Sequence, residues 1–299
     1  MTSAVGIPIT VGVDGSPAAA EAVAWAVAEA GRRGRALDLV YVNAFPTYAY
    51  AMWPSWGPPA ERDGQAEGRR VLAAAKQRAS QVTPSTQVCT EVVEGGPASV
   101  LLGRSPDSAM VVVGRRGTGG FPELLVGSVA TQVTTYAQCP VVVVPERTAE
   151  VAADGPGIVL GVDGSEECQA AIELAFTEAS LRGRRLTAVR SWFWPADDPA
   201  ITQPYSPLPE DHVAEQQRVL SEALAGWTEK YPDVEVRTVI THRRPARALL
   251  DTAAGADLLV VGARGSGGFR ALLLGSVGET VVRHATCPVI VVHGHAHAG

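Results

Sequence analysis

Short apolar runs alternate with longer stretches of helical periodicity along most of the chain. Such runs, rich in Val, Leu and Ile, are typical of strands that are buried on both faces of a sheet. In the first half of the chain they predict strands at 8–13, 36–42, 86–93, 110–114 and 141–144. In the second half they predict strands at 157–162, 185–191, 234–240, 257–262 and 288–292.

The stretches between these runs predict helices. The first begins after Ser16, a favourable N-cap residue, has Pro17 in its first turn, and runs to about Ala30 before it stops at Gly31. Strands that alternate with helices indicate an α/β fold, with a five-stranded parallel sheet and helices on both faces in each half. Further helices are predicted at 64–81, 97–104 and 127–137, and an insertion rich in Pro, Trp and Tyr occupies 43–63.

An internal repeat divides the chain. The segment TVGVDGS at 10–16 returns as LGVDGS at 160–165, and residues 114–145 match residues 262–293 at 18 of 32 positions without a gap. So long a period indicates two whole domains in tandem rather than a solenoid. We therefore predict domains at 1–147 and 156–299, joined by a polar linker at about 146–156 that ends in Gly-Pro.

Composition narrows the class of protein. Of the 299 residues, 46% are hydrophobic and 19% are charged, so each half can bury a core. The net charge of -6 provides no basic field for nucleic acid. No apolar run reaches the roughly 18 residues that span a bilayer, and the N-terminus lacks the charged region of a secretory signal. We therefore expect a cytoplasmic protein that contacts neither nucleic acid nor membrane.

The four cysteines, Cys89, Cys139, Cys168 and Cys287, are far apart and show no CxxC spacing. We interpret them as reduced thiols of the core rather than as metal ligands or redox groups.

A glycine-rich loop follows the fourth strand of each half. Glycines let backbone N–H groups approach an anion closely, and the N-terminus of the helix that follows favours phosphate, with Ser128 available to cap it. The loop lacks the Gly-Lys-Ser/Thr of a Walker A motif and is not a GxGxxG fingerprint. The alternative is that its glycines only make tight turns. The pattern is Gly114-x-x-Gly117, nine residues and Gly127-Ser128, repeated as Gly262-x-x-Gly265, nine residues and Gly275-Ser276.

Two charged residues recur beside this loop. Asp14 and Asp163 end the first strand of each half, where a carboxylate can accept hydrogen bonds from ribose hydroxyls or an adenine amine, or can cap the following helix. Arg116 and Arg264 hold the same position in the two loops, where a guanidinium either faces phosphate oxygens or is simply solvated.

Other features carry less weight. The histidines at 293, 295 and 297 suit a transition metal, but a frayed terminus explains them as well. The tryptophans at 53, 56, 192 and 194 follow the second strand of each half and either cover a ligand or pack a long loop. No Ser/His/Asp or Cys/His arrangement and no carboxylate pair recurs in both halves, so nucleophilic catalysis and a hydrolytic metal site have little support.

The repeated loop, together with CPVVVV at 139–144 and CPVIVV at 287–292, resembles the universal stress protein family. The resemblance covers almost the whole chain and looks like the tandem-domain type common in actinobacteria. It implies two Rossmann-like domains of the adenine nucleotide alpha hydrolase-like class, each with a site for ATP, alone or together with Mg²⁺. It also implies a homodimer formed through the C-terminal strands, a pairing that the tandem chain can also make internally between 141–144 and 289–292.

The family's binding residues can be carried over by position, with the backbone of Val42 offered to the adenine ring. The first site would comprise Gly12, Asp14, Val42, Gly114, Arg116, Gly117, Thr118, Gly119, Gly120, Gly127, Ser128 and Val129. The second would comprise Gly161, Asp163, Ser191, Gly262, Arg264, Gly265, Ser266, Gly267, Gly268, Gly275, Ser276 and Val277.

The two sites are not identical in sequence. Ser191 replaces the apolar residue expected where Val42 stands, and the Glu-Gly-Gly segment at 94–96 becomes His-Arg-Arg at 242–244. We therefore expect the two sites to differ in affinity.

Three functions stay open. The favoured one is an ATP-binding regulator of the stress, dormancy or energy-state response, with an unidentified protein partner and at most weak ATP hydrolysis, because the loop lacks the lysine of efficient phosphoryl-transfer enzymes. The second is a slow ATPase or nucleotidyl transferase of the same fold class. The third is a structural or chaperone-like scaffold.

Overall fold

The computed structural model describes residues 6–44, 57–119, 125–146, 154–165, 168–192, 210–265 and 274–294. The chain divides into two compact units, Met1–Thr148 and Ala149–Gly299. None of the described helices combines the length and the apolar composition that crossing a bilayer requires.

The first unit contains a parallel sheet with the strand order β3-β2-β1-β4-β5. Its strands are β1 Ile9–Val13, β2 Leu37–Asn43, β3 Val88–Glu94, β4 Met110–Gly114 and β5 Val141–Val144. Its helices are α1 Pro17–Arg33, α2 Gly57–Val82, α3 Pro97–Arg104 and α4 Ser128–Tyr136, with a 3₁₀ turn at Ser105–Asp107.

The second unit repeats this arrangement with the order β8-β7-β6-β9-β10, also parallel. The predicted α/β class and the five-stranded parallel sheet of each half are thus confirmed. Its strands are β6 Ile158–Gly161, β7 Leu186–Trp192, β8 Val236–His242, β9 Leu258–Gly262 and β10 Val289–Val292. Its helices are α5 Gln169–Arg182, α6 Glu210–Leu224, α7 Trp227–Lys230, α8 Pro245–Thr252 and α9 Ser276–His284.

Two glycines show how helices cover both faces of the first sheet. A Cβ on Gly114 would lie 2.7 Å from the carbonyl carbon of Ala18 in α1, and one on Gly12 would lie 2.8 Å from Leu101 Cδ1 in α3. Val11 pairs with Val112 in the β1–β4 register, and side chains alternate along a strand, so Gly12 and Gly114 face opposite sides of the sheet. Helices α1 and α3 therefore pack on opposite faces, each close to a strand end.

Helix α1 begins as predicted, because the Ser16 hydroxyl accepts a hydrogen bond from the Ala19 N–H at 3.1 Å. The prediction that it stops at Gly31 is wrong. The helix continues to Arg33 and ends at Gly34, whose φ of 61° is the left-handed conformation that favours glycine. Gly31 instead permits close packing, since a Cβ there would lie 3.0 Å from Thr83 Cγ2.

Helix α2 also differs from its prediction. It starts at Gly57 rather than at residue 64, so the last part of the predicted insertion is helical. The Gly and Pro residues there masked the helical pattern, although proline is tolerated in a first helical turn. Trp53, Trp56 and Trp194 of the predicted insertions, and His295 and His297 of the tail, lie outside the described residues.

The prediction that all four cysteines are buried core thiols is wrong for Cys89. Cys139, Cys168 and Cys287 are buried, whereas Cys89 is exposed on β3, the outer strand of the first unit's order. Burial raises the pKa of each of the three buried thiols to about 12.

This difference predicts selective labelling. In the folded protein at neutral pH, we expect a thiol-specific reagent to modify Cys89 alone, because the buried thiols are inaccessible and hold their protons. Intact-mass measurement should give one adduct before denaturation and four after it. A Cys89→Ser variant should show no rapid adduct, and equally rapid modification of a second cysteine would contradict the burial pattern.

Candidate functional site

A cavity of about 650 Å³ lies at the carboxyl ends of the strands in the first unit. The strand order reverses at β1, with β2 and β3 on one side and β4 and β5 on the other. Open parallel sheets bind ligands in the crevice at such a switch point. The cavity is lined by every predicted residue of the first site that the structure describes, namely Gly12, Asp14, Val42, Gly114, Arg116, Gly117, Thr118, Gly119, Gly127, Ser128 and Val129. Gly120 lies outside the described residues.

The Asp14 carboxylate connects the end of β1 to the glycine loop. Its Oδ1 accepts a hydrogen bond from the Ser16 N–H at 2.9 Å, and its Oδ2 accepts one from the Thr118 N–H at 2.8 Å. The Ser16 hydroxyl also donates to the Arg116 carbonyl at 3.3 Å. The side chain that caps α1 is thus that of Ser16 rather than Asp14, and the loop is held to the end of β1 at two points.

The loop approaches Asp14 so closely that only glycine fits at one position. A Cβ on Gly117 would lie 2.3 Å from Asp14 Oδ2, well below a normal contact. At Gly119, a Cβ would meet no atom of the described residues within 4 Å. The close approach to Asp14 thus gives a steric reason for Gly117, and the described contacts give none for Gly119.

The N-terminus of α4 faces this cavity without a side-chain cap. Ser128 was predicted to be able to cap the helix, but the N-cap residue is Gly127, which makes no side-chain cap hydrogen bond to the first turn. The Gly127 N–H donates to the Arg115 carbonyl at 2.8 Å, which places Ser128 inside the helix. Residues Ser128, Val129 and Ala130 line the cavity. An uncapped first turn offers N–H groups and a positive dipole end to an anion.

Arginines supply positive charge beside the loop of the first unit. Arg116 is half-buried and lines the cavity. Burial and the neighbouring charge of Arg116 lower the pKa of the Arg115 guanidinium. The second unit has Ala263 at the position of Arg115, and its Arg264 is exposed. The repeated arginine thus stands in different surroundings in the two units.

Several lining residues were not predicted. Tyr41, Asn43 and Ala44 come from the end of β2, and Pro97 and Leu101 come from α3. Burial raises the pKa of the Tyr41 hydroxyl, and the charges of Glu67 and Asp14 raise it further. The signal available in the sequence was Pro97 after two glycines at a strand end, which marks a helix start at the same edge of the sheet. The other unpredicted lining residues are Val13, Ser16, Ala19, Val40, Val113, Val126 and Ala130.

The second unit repeats the backbone of this site. Asp163 Oδ1 accepts hydrogen bonds from the Ser165 N–H at 3.1 Å and the Ser165 hydroxyl at 2.7 Å. A Cβ on Gly265 would lie 2.9 Å from Asp163 Oδ2, the counterpart of the Gly117 contact. Gly161 packs on Leu249 as Gly12 does on Leu101.

The start of α9 corresponds to that of α4. Gly275 is its N-cap residue, and its N–H donates to the Ala263 carbonyl at 2.8 Å. Ser276 and Val277 therefore begin this helix next to the end of β9 at Gly262. Ser266, Gly267 and Gly268 of the predicted second site lie outside the described residues.

The end of β7 shows what replaces the apolar residue of the first site. The Ser191 hydroxyl donates to the Arg243 carbonyl at 2.6 Å, so it ties β7 to the start of α8. The ring of Trp192 lies 5.3 Å from that of His242. Ser191 and the start of the His-Arg-Arg segment thus lie together at the β7–β8 edge of the second sheet.

The described residues contain no cluster of three or more His, Cys, Asp or Glu side chains able to hold a metal ion. Asp14 is the carboxylate that lines the cavity, and both of its oxygens already accept hydrogen bonds.

Comparison with known proteins gives a consistent result. The model of the universal stress protein family matches residues 8–145 and again residues 157–293. A universal stress protein of Mycobacterium tuberculosis strain H37Rv is 38% identical over 294 residues, which cover 95% of each chain. One from Mycobacterium bovis is 37% identical over 299 residues, covering 95% of this chain and 94% of the relative.

Solved structures show the same fold. A universal stress protein from Archaeoglobus fulgidus matches with a TM-score of 0.70 at 18% identity, covering 96% of this chain and 98% of that one. A second match is the structure of a putative universal stress protein from Pseudomonas aeruginosa, with a TM-score of 0.58 at 16% identity. It covers 98% of this chain and 94% of that one.

Proposed function

Since the chain belongs to the universal stress protein family, we propose that each of its two domains binds ATP and that the protein is a nucleotide-dependent regulator in the stress, dormancy or energy-state response. One observation carries this proposal. A single cavity of nucleotide size combines the uncapped start of α4, the glycine loop held by Asp14, and apolar side chains.

The two ends of the cavity suit the two ends of a nucleotide. The phosphate chain would lie against the N–H groups of the loop and of α4, with Arg116 beside it. The base would lie between Val42, Leu101 and Pro97, where apolar side chains form the wall. Mg²⁺ would be held mainly by the phosphates, since it keeps most of its other ligands as water.

Holding the nucleotide is favoured over rapid hydrolysis. The described residues that line the cavity include no lysine, and the oxygens of Asp14 are already engaged by two N–H donors. Efficient phosphoryl transfer needs charge stabilisation and a positioned base or water. We also propose a homodimer formed through the C-terminal strands, an unidentified regulatory protein partner and a cytoplasmic location.

The proposal is tested by looking for the ligand. Native mass spectrometry of freshly purified protein should find bound adenine nucleotide, and calorimetry of nucleotide-free protein should give saturable heat with ATP. A silent titration and a nucleotide-free native mass would instead favour the scaffold function. Multiple turnovers per minute that fall when Asp14 and Asp163 are changed would favour the enzyme.

Asp14→Asn should weaken ATP binding in the first domain by about 10-fold, equivalent to about 1.4 kcal/mol. An amide keeps one acceptor oxygen but turns an NH₂ group toward one of the two N–H donors, so the loop loses part of its attachment. Calorimetry with ATP would be done on variants that also carry Gly265→Asp, so that only the first site contributes to the measured binding. Asp107→Asn, an exposed change outside the cavity, is the matched control, and equal affinities for the two variants would contradict the role of Asp14.

A further inference from the structure

One pair of residues differs between the two sites in a correlated way. Tyr41 of β2 corresponds in the repeat to Arg190 of β7. The segment AEGRRVL at 66–72 corresponds to AEQQRVL at 214–220, so that Gly68 of α2 corresponds to Gln216 of α6. The first domain thus pairs a tyrosine with a glycine, and the second pairs an arginine with a glutamine.

In the first domain, the pair is a steric match. A Cβ on Gly68 would lie 2.6 Å from Tyr41 Cδ1, so the helix must have a glycine where it crosses the ring. Tyr41 lines the cavity and is neutral, and the nearby charges of Glu67 and Asp14 are both negative. Tyr41 therefore brings no positive charge to its side of the first site.

In the second domain, a guanidinium replaces the phenol and is held in place. Arg190 Nε donates to Gln216 Oε1 at 2.8 Å, and Gln216 is only 8% exposed. Arg190 Nη1 lies 3.4 Å from the Val162 carbonyl and 3.8 Å from the position of a Cβ on Gly164. Its head group therefore lies beside the end of β6, next to both neighbours of Asp163.

This placement brings Arg190 to the loop side of the sheet. Asp163, whose two chain neighbours Arg190 approaches, also meets the glycine loop, because a Cβ on Gly265 would be 2.9 Å from Asp163 Oδ2. Arg190 donates from Nε and Nη1 to the protein, and its planar guanidinium has five N–H groups in all with which it can bind an anion. A fixed cation here offsets the charge of Asp163 and attracts phosphate oxygens.

We propose that Arg190, positioned by Gln216, is a specificity-determining residue that makes the second site select nucleoside triphosphates over monophosphates more strongly than the first site does. The inference rests on the proposed nucleotide binding and adds to it the ligand class of the second site. Each domain has a loop arginine, Arg116 or Arg264, with which an added phosphate interacts. The second domain adds Arg190 to it, at the position where the first domain has the neutral Tyr41.

The test measures each site alone in the full chain. The Gly117→Asp variant should bind nucleotide only at the second site, and the Gly265→Asp variant only at the first. Dissociation constants for ATP, ADP and AMP would be measured by calorimetry at low and high salt. We expect the ATP-to-AMP affinity ratio of the second site to exceed that of the first by about 10-fold at low salt, and the difference to shrink as salt screens the charges.

Exchanging the pair provides the matched variant. Arg190→Tyr with Gln216→Gly, made in the Gly117→Asp background, installs the combination that the first domain already packs, and should lower the ratio to that of the first site. The reciprocal exchange, Tyr41→Arg with Gly68→Gln, should raise the ratio of the first site. Arg190→Lys should keep more of the ratio than Arg190→Gln, which a purely structural role of the side chain would not produce.

The outcomes separate the inference from the proposed function. If both isolated sites bind ATP with the same ATP-to-AMP ratio, or if the exchange leaves the ratio of the second site unchanged, the role of Arg190 is refuted and nucleotide binding stands. If no nucleotide binds to the parent protein or to either single-site variant, the proposed function and this inference fail together.

Discussion

Replacing both Gly117 and Gly265 with aspartate is expected to abolish nucleotide binding while leaving the fold intact. A Cβ at these positions would lie 2.3 Å from Asp14 Oδ2 and 2.9 Å from Asp163 Oδ2, so each loop must move away from its strand. The added carboxylate also places negative charge beside an existing carboxylate, where the phosphate would bind. The fold should survive because both glycines are exposed and neither has a positive φ.

Each single variant should lose one of two bound nucleotides, and the double variant should lose both. Calorimetry with ATP, combined with native mass spectrometry, gives the stoichiometry, and circular dichroism checks the fold. Gly103→Asp is the matched control, because it adds the same charge on α3 where a Cβ meets nothing within 4 Å. If the folded double variant retains ATP, the glycine loops are not the phosphate sites.

Phe176→Ala should destabilise the second domain by about 3–5 kcal/mol, the usual cost of removing a buried aromatic ring. Phe176 is fully buried in α5 and stacks on Trp227 at 6.1 Å and Tyr231 at 5.7 Å, so its loss leaves a cavity under α7. In denaturant unfolding, the second domain should unfold at a lower denaturant concentration than in the parent protein, and the transition of the first domain should be unchanged.

Leu181→Ala is the appropriate control for this substitution. Leu181 lies on the same helix but is 39% exposed, so its truncation should cost less than about 1 kcal/mol. A Phe176→Ala protein no less stable than the Leu181→Ala protein would contradict the assignment of the aromatic cluster to the core of the second domain.

Most strands and several helices could be predicted from local pattern. The apolar runs that became β4 and β5 were predicted at their observed bounds, and so was α3. The errors occurred where glycine had a packing role. Gly31 looked like a helix end but lies inside α1, while the residue that ends the helix in the left-handed conformation is Gly34. Sequence alone does not distinguish these two uses of glycine, because the neighbour that needs the space is distant in the chain.

The exposed Cys89 illustrates the same limit. Its segment has the apolar character of a strand, but its position in the sheet order leaves one edge of that strand without a neighbour in its unit. Burial of a strand depends on what lies beside it, and no local pattern contains that information.

The duplication, the α/β class and the glycine-rich loops can be recognised from sequence, because strand periodicity, helix caps and glycine spacing are local properties. How each loop is attached to its sheet depends on the tertiary fold. The Thr118 N–H meets Asp14 across 104 residues, and Gln216 meets Arg190 across 26, so both contacts depend on how the helices pack on the sheet. The difference between the Tyr41–Gly68 and Arg190–Gln216 pairs becomes chemically meaningful only when packing brings each pair to the end of the first strand of its domain.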